Sequence, residues 1–225
     1  SKLMQHSGAR LLYKISNSLR TIRDRITEHR VKTSTEDVIE SALPDDTSVL
    51  TLTYLEANGA SGMTVGCDCL HDVGDMKIEL FCEQCPKACE NFLALCASDY
   101  YNGCQFHRNI KGFIVQTGDP TGTGKGGTSI WGRKFEDEFK EDLKHNARGI
   151  VSMANNGPNT NGSQFFFTYG EQPHLDLKYT IFGRLIDGFE ALDDLEKMTV
   201  NPKTFKPLTE VLLTSVTIHA NPLAG

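Results

Sequence analysis

The chain has 225 residues, 39% hydrophobic and 23% charged, a composition within the ordinary range of globular proteins. It contains no run of 18 or more apolar residues, so no membrane-spanning helix is predicted. The formal net charge is −6, but residues 1–33 carry eight basic and two acidic side chains, a net +6, which leaves −12 for the remainder. An acidic body argues against direct nucleic-acid binding by that body.

Residues 1–62 predict an N-terminal extension that is partly helical or disordered. Apolar residues recur at helical spacing within residues 10–30, with basic residues largely between them, which predicts an amphipathic helix. An acidic stretch and the glycine-containing end Asn58–Gly62 then predict a flexible linker. Three interpretations of the extension stay open: a disordered or partner-dependent segment, an organelle-targeting segment, or sequence translated upstream of a start at Met63.

Residues 63–225 predict a domain of short strands with two helices. The helices are predicted at Pro86–Ala97, where Pro86 suits a first turn, and at Asp187–Met198, which has apolar residues three apart. The predicted strands, in chain order, are Met76–Phe81, Phe106–Gln116, Gly149–Ala154, Phe165–Tyr169, Tyr179–Leu185 and Val211–His219. Many short strands with only two helices favour a closed antiparallel barrel.

The predicted strand Phe106–Gln116 holds the first candidate site. Residues of like parity share a face of a strand, so Arg108 and Gln116 would point the same way unless Lys111-Gly112 breaks the register. A guanidinium and an amide facing an apolar cavity would bind a peptide carbonyl. On the residues alone, a surface arginine in an ion pair is the favoured interpretation.

The glycine-rich segment Gly118–Gly127 is superficially similar to a phosphate-binding loop. A P-loop requires Gly-Lys followed by serine or threonine, but Gly124-Lys125 is followed by Gly126. We therefore expect a wide turn between strands and no nucleotide site.

Seven cysteines raise the question of metal, redox or nucleophilic chemistry. They are Cys67, Cys69, Cys82, Cys85, Cys89, Cys96 and Cys104. The number is odd and no secretory signal is recognisable, so we expect free thiols in a reducing compartment, nuclear or cytoplasmic. Cys82-x-x-Cys85 lacks a second pair at zinc-site spacing, and Cys104 near His107 lacks an orienting third group.

The segment Val151–Phe166 is rich in small residues, amides and glycines and ends in two phenylalanines. Exposed backbone groups beside an apolar wall suit the docking of an extended peptide. The same composition is also that of an ordinary connection between strands.

Taken together, the ordered motifs resemble the cyclophilin family. The motifs are Phe106-His-Arg with Gly112-Phe113 and Gln116-x-Gly-Asp119, then Lys134–Glu138, then Ser152–Phe166. The resemblance covers about Met63 to Asn221. Tyr101–Cys104, Lys144–Asn146 and the ending Thr217–Pro222 are most similar to a short, spliceosome-associated subgroup of the family.

The resemblance implies an eight-stranded antiparallel barrel capped by two helices, with a peptide groove on its outer wall. It implies that Arg108 is the catalytic residue. The substrate-binding positions that match are Phe113, Ile114, Gln116, Ala154, Asn155, Asn156, Gln164, Phe166, His174, Leu175 and Tyr179.

The resemblance further implies peptidyl-prolyl cis-trans isomerase activity. Amide resonance opposes rotation with a barrier of about 18–20 kcal/mol. A donor directed at the lone pair of the twisted nitrogen binds the transition state better than either planar state. Arg108 would supply this donor, Phe113, Ile114, Phe166 and Leu175 the proline pocket, and Gln116, Asn155 and Gln164 the backbone contacts. No metal ion or cofactor is required.

Three groove positions depart from the common family pattern. Ile114 stands where many members have methionine, His174 where many have a tryptophan that donates a hydrogen bond to cyclosporin, and Tyr179 where many have histidine. We expect weak cyclosporin binding with isomerase activity retained.

The expected partners are proline-containing peptides or proteins, which could include spliceosomal proteins if the subgroup resemblance extends to function. A proline-peptide binding scaffold within an RNA-processing complex, with incidental catalysis, is the alternative. We expect a monomer without direct nucleic-acid contact.

Overall fold

The computed structural model describes residues 52–57, 60–69 and 73–218, with the side chains of residues 73–216 and 218. The predicted amphipathic helix within residues 10–30 and the last predicted strand residue, His219, lie outside the described residues.

The helices are α1, Pro86–Ala97, and α2, Phe189–Lys197, and a 3₁₀ turn spans Pro173–Leu175. The strands are β1 Leu52–Ala57, β2 Ala60–Cys69, β3 Gly74–Leu80, β4 Cys104–Gln105, β5 Arg108–Ile110, β6 Ile114–Thr117, β7 Ile150–Met153, β8 Phe165–Thr168, β9 Ile181–Asp187 and β10 Leu212–Ile218.

The strands form one antiparallel sheet in the order β4-β10-β2-β3-β9-β7-β8-β6-β5, and β1 pairs with β2. This corrects the expectation of a closed eight-stranded barrel, since the described residues form ten strands and no hydrogen-bonded ladder joins β4 to β5. The physical reason lies in Phe106 and His107. Only these two residues separate β4 from β5, so the two strands follow each other along the chain and do not pair side by side. The mainly-β class with two helices is confirmed.

Helix α1 has the predicted bounds and receives its cap from a distant segment. Pro86 at its first position has no N–H to leave unpaired. The Glu138 carboxylate accepts the next two N–H groups, from Lys87 at 3.1 Å and Ala88 at 2.8 Å. These two hydrogen bonds tie the loop that carries Glu138 to the start of α1.

The core is built around Phe92 of α1. Its ring lies 5.4 Å from Tyr101, 5.1 Å from Phe165 and 5.2 Å from Phe182, measured between centroids. All four side chains are buried. Because Phe165 belongs to β8 and Phe182 to β9, this aromatic cluster packs α1 against two strands of the sheet, one of which carries the groove residue Phe166.

Helix α2 begins at a position that only glycine fits. Gly188 has a φ of +83°, and a Cβ there would lie 1.9 Å from the carbonyl oxygen of Asp75. The helix buries Ala191, Leu192 and Leu195. Within the described part of the chain, neither helix is long and apolar enough to cross a membrane.

Candidate functional site

The catalytic candidate Arg108 lies in a hairpin rather than in one long strand. Strands β5 and β6 are antiparallel, and Arg108 is directly opposite Gln116. The chain reverses at Gly112, whose φ is +72°, and the N–H of Phe113 donates to Ile110 O at 2.9 Å. This corrects the prediction of a continuous strand over Phe106–Gln116. Arg108 and Gln116 still share a face, because they form a cross-strand pair.

Apolar side chains from three elements form the wall beside Arg108. Ile114 of β6, Phe166 of β8 and Leu175 of the 3₁₀ turn form a buried cluster. Phe113, Ala154 and Tyr179 pack against it and are partly buried. The Tyr179 ring meets Phe166 edge-on at 5.5 Å, and His174 stacks on Phe113 at 5.6 Å. The result is a rigid apolar surface at the end of an exposed guanidinium.

Two glutamine side chains border this wall in a hydrogen-bonded chain. Gln116 Nε2 donates to Gln164 Oε1 at 2.7 Å, and Gln164 Nε2 donates to the carbonyl of Gly126 at 2.8 Å. Asn155 Nδ2 donates to Lys178 O at 2.9 Å. These bonds fix the amide orientations, so the remaining donors and acceptors face a ligand in defined positions.

These groups line one groove with a volume of about 360 Å³. Ten of the twelve predicted site residues line it: Arg108, Phe113, Ile114, Gln116, Ala154, Asn155, Asn156, Phe166, Leu175 and Tyr179. Gln164 lines a smaller adjoining compartment together with Gln116, Ala154, Asn155 and Asn156. His174 contributes through its stack on Phe113.

Sequence reasoning missed four lining residues, His107, Thr123, Gly124 and Thr204. Thr123 and Gly124 belong to the glycine-rich segment, which is a turn between strands as predicted but also borders the groove. The Asp119 carboxylate organises this turn by accepting the N–H groups of Thr121, Gly124 and Gly126. An aspartate at the start of a glycine-rich segment, able to accept several of its N–H groups, is the sequence signal for a compact turn at this position.

The described cysteines do not contribute to the groove. Cys82, Cys85, Cys89, Cys96 and Cys104 are buried free thiols, and the side chains of the remaining two cysteines are not described. Burial raises the pKa of Cys85 to about 12 and that of Cys104 to about 12. The thiolate, which is the reactive form, is therefore disfavoured. Among the described residues, no group of three or more His, Cys, Asp or Glu side chains is placed to hold a metal ion.

The groove combines an apolar surface and amide groups that can bind a ligand with one positively charged guanidinium. Its lining includes one guanidinium, several amides and an apolar wall, and none of the described residues that line it is a cysteine, an aspartate or a glutamate. Such a surface suits an extended peptide whose reaction is a change of conformation.

Comparison with known proteins gives the class to which this fold and groove belong. The family model described as cyclophilin type peptidyl-prolyl cis-trans isomerase/CLD matches residues 67–218. The chain belongs to this family, and it is a peptidyl-prolyl cis-trans isomerase, as its sequence motifs predict.

Several similar curated proteins share the name peptidyl-prolyl cis-trans isomerase-like 3. Peptidyl-prolyl cis-trans isomerase-like 3 of Gallus gallus is 76% identical over 153 residues, which are 68% of this chain and 95% of that protein. The Homo sapiens protein of the same name is 75% identical with the same coverage. Peptidyl-prolyl cis-trans isomerase CYP18-1 of Arabidopsis thaliana is 66% identical over 154 residues, 68% of this chain and 96% of that protein.

Solved structures agree with the family assignment. A crystal structure of a Cryptosporidium parvum cyclophilin type peptidyl-prolyl cis-trans isomerase superposes with a TM-score of 0.68 at 56% identity, covering 72% of this chain and 99% of that one. The same parasite protein was crystallised in the presence of the dipeptide Ala-Pro; that structure covers 71% of this chain and 99% of the parasite chain at 56% identity, with a TM-score of 0.67.

Proposed function

We propose that the groove binds an X–Pro segment of a protein and that Arg108 is the residue that accelerates rotation about its peptide bond. The observation that carries the proposal is the position of Arg108, exposed beside the apolar wall of Phe113 and Phe166. Its guanidinium makes one long side-chain hydrogen bond, 3.5 Å to Gln116 Oε1. A rigid, always charged fork with donors to spare suits an atom that gains electron density only in the transition state.

The proposed roles of the other groove residues follow from their surroundings. The apolar wall, formed by Phe113, Ile114, Phe166 and Leu175, holds the proline ring and so fixes one side of the bond. Gln116, Asn155 and Gln164 bind the peptide backbone through amides that are already oriented. Ala154, Asn156, His174 and Tyr179 complete the contacts along the groove. A fixed ring with a restrained backbone confines the rotation to the X–Pro bond.

The test of Arg108 is its replacement by alanine. We expect Arg108→Ala to lower kcat/KM by about 10²-fold, because one preorganised donor to the transition state is lost. The measurement is exchange NMR or a coupled assay on a proline-containing peptide. Lys111→Ala is the matched control, since it removes a cation from the exposed turn of the same hairpin. Equal activity in the two variants would disprove the assignment.

We further propose that the natural substrates are proteins of an RNA-processing assembly and that the chain acts in the nucleus, the cytoplasm or both. The support is the similarity of three short motifs to the spliceosome-associated subgroup. Affinity capture from nuclear extract should recover splicing proteins with the unaltered chain and fewer with Phe166→Ala. Equal recovery would mean that partners bind outside the groove, and absence of splicing proteins would remove this assignment.

A proline-peptide scaffold with incidental turnover uses the same groove. The two functions separate at Arg108, because its loss should impair turnover more than ground-state binding. Cells in which Arg108→Ala replaces the unaltered chain without loss of function would require the scaffold; loss of function with partners still bound would require catalysis.

A further inference from the structure

His145 is a buried side chain behind the groove that sequence reasoning did not select as a site residue. It precedes β7, has no exposed surface and does not line the groove. Its ring is nonetheless parallel to that of Phe166, with an interplanar angle of 14° and centroids 6.2 Å apart. It therefore supports, from inside the domain, the ring that forms the base of the apolar wall.

The hydrogen bonds of His145 fix its tautomer. Its backbone N–H donates to Asp176 Oδ1 at 2.8 Å, and Nδ1 lies 2.9 Å from the same oxygen. Burial raises the pKa of Asp176, but the hydrogen bonds from His145 outweigh it and leave that pKa below its usual value. The ionised carboxylate accepts only, so Nδ1 carries the proton. The other nitrogen, Nε2, then accepts from the Ser152 hydroxyl at 2.9 Å.

These contacts connect two walls of the groove. Ser152 is directly opposite Phe166 in the β7–β8 ladder. Asp176 directly follows Leu175 and ends the 3₁₀ turn, where its N–H donates to Pro173 O at 3.2 Å. One imidazole thus joins β7, at the cross-strand partner of Phe166, to the turn that carries Leu175.

We propose that His145 is a positioning residue for isomerisation, which holds Phe166 and Leu175 at the separation and ring orientation that grip the substrate proline. The proposal rests on the assignment of Phe166 and Leu175 to the proline pocket. A displacement of about 1 Å in a positioning group is enough to cost about 10²-fold in rate, so a group without substrate contact can control turnover.

Two substitutions separate the ring from its hydrogen bonds. His145→Phe keeps a flat ring against Phe166 but loses both polar contacts, and His145→Gln keeps polar groups but loses the stack. We expect each to lower kcat/KM on a proline peptide about tenfold or more and to shift the NMR resonances of the Phe166 ring. Tyr169→Phe is the control for general loss of stability, because it removes one buried hydrogen bond, 2.8 Å to Asn109, outside the groove. Its kcat/KM should not change.

Asp176 supplies a second test that does not depend on the folding of the His145 variants, since its side chain is 19% exposed. An asparagine oxygen accepts the same two hydrogen bonds, so Asp176→Asn should keep most of the activity, whereas Asp176→Leu should lose it. Equal activity in these two variants, or unchanged kcat/KM in both His145 variants, would overturn the proposal. Phe166→Ala separates the two levels of inference: if it too is fully active, the assigned proline pocket is wrong.

Discussion

At the rim of the groove, His174 lies almost flat against Phe113, with an angle of 23° between the rings. The stack extends the apolar wall outward and leaves His174 exposed to solvent. A ligand that covers this rim therefore meets an imidazole edge where many family members present an indole N–H. We therefore expect His174 to affect the binding of a large cyclic ligand more than that of a short peptide in the inner groove.

We predict that cyclosporin binds the unaltered chain weakly and that His174→Trp strengthens binding about tenfold, the equivalent of one recovered hydrogen bond. Calorimetric titration measures both affinities. His174→Phe is the matched control, because it supplies an aromatic ring without a donor and should stay weak. Nanomolar binding by the unaltered chain would contradict the prediction.

Individual residues also show where sequence reasoning succeeds. Strand parity predicts that Arg108 and Gln116 share a face, and they do so because Gly112 reverses the chain into a hairpin in which the two residues pair. The motif fixed their relation, but periodicity alone could not separate one strand from two. Strand parity could not predict Thr204 as a groove residue, since Thr204 reaches the groove from a loop far beyond Gln116 in the chain.

Among the elements, the glycine-rich turn over residues 118–127 depends on Asp119. Burial raises the pKa of this carboxyl, but hydrogen bonds from Thr121, Gly126 and Gly124 outweigh it, so its pKa lies below the usual value. A carboxylate with a depressed folded-state pKa stabilises the fold above its unfolded pKa of about 3.9. That stability is lost as the pH falls through the folded pKa.

Asp119→Asn should therefore lower the free energy of unfolding by about 2 kcal/mol at neutral pH, because an amide cannot accept all of these charged hydrogen bonds. The difference from the unaltered chain should shrink below pH 4 and vanish once Asp119 is protonated. Urea unfolding at several pH values provides the measurement. A difference that stays constant down to pH 2 would show that the carboxylate charge is not the cause.

The sequence predicts some secondary-structure elements better than others, and the reasons are physical. Both helices and most strands have clear periodicity, and α1 has its predicted bounds. Strands β1 and β2 are absent from the predicted elements. β1 lies within the segment interpreted as an extension and linker, although it pairs with the adjacent β2. β2 is rich in small and polar residues, and one of its neighbours, β10, lies far along the chain. Whether the sheet closes depends on which strands pair at its two ends, and no local sequence pattern determines that pairing.

For the whole molecule, the groove and the family match are confined to one part of the chain. The groove residues span positions 107–204, and the matched region begins at residue 67. The predicted boundary between the extension and the domain, at residues 62 and 63, stays a prediction. It has a direct consequence for activity.

We predict that deletion of residues 1–62 leaves kcat/KM on a short proline peptide unchanged. Every described groove residue remains, and relatives that match 153 residues of this chain are covered to 95% of their own length. Deletion of residues 1–51 is the matched variant, since it keeps β1. Loss of turnover by a folded product of either deletion would assign the extension a part in catalysis.

The burial of the thiols allows opening of the domain to be measured by cysteine labelling. Cys82, Cys85, Cys89, Cys96 and Cys104 sit in the interior, and the groove exposes none of them. An alkylating reagent reaches these sulfurs only when the packing around them opens. With the two cysteines of β2 replaced, the labelling rate then measures how often the native domain opens, without an attached probe. Peptide that slows this labelling would report occupancy of the groove as added protection of the core.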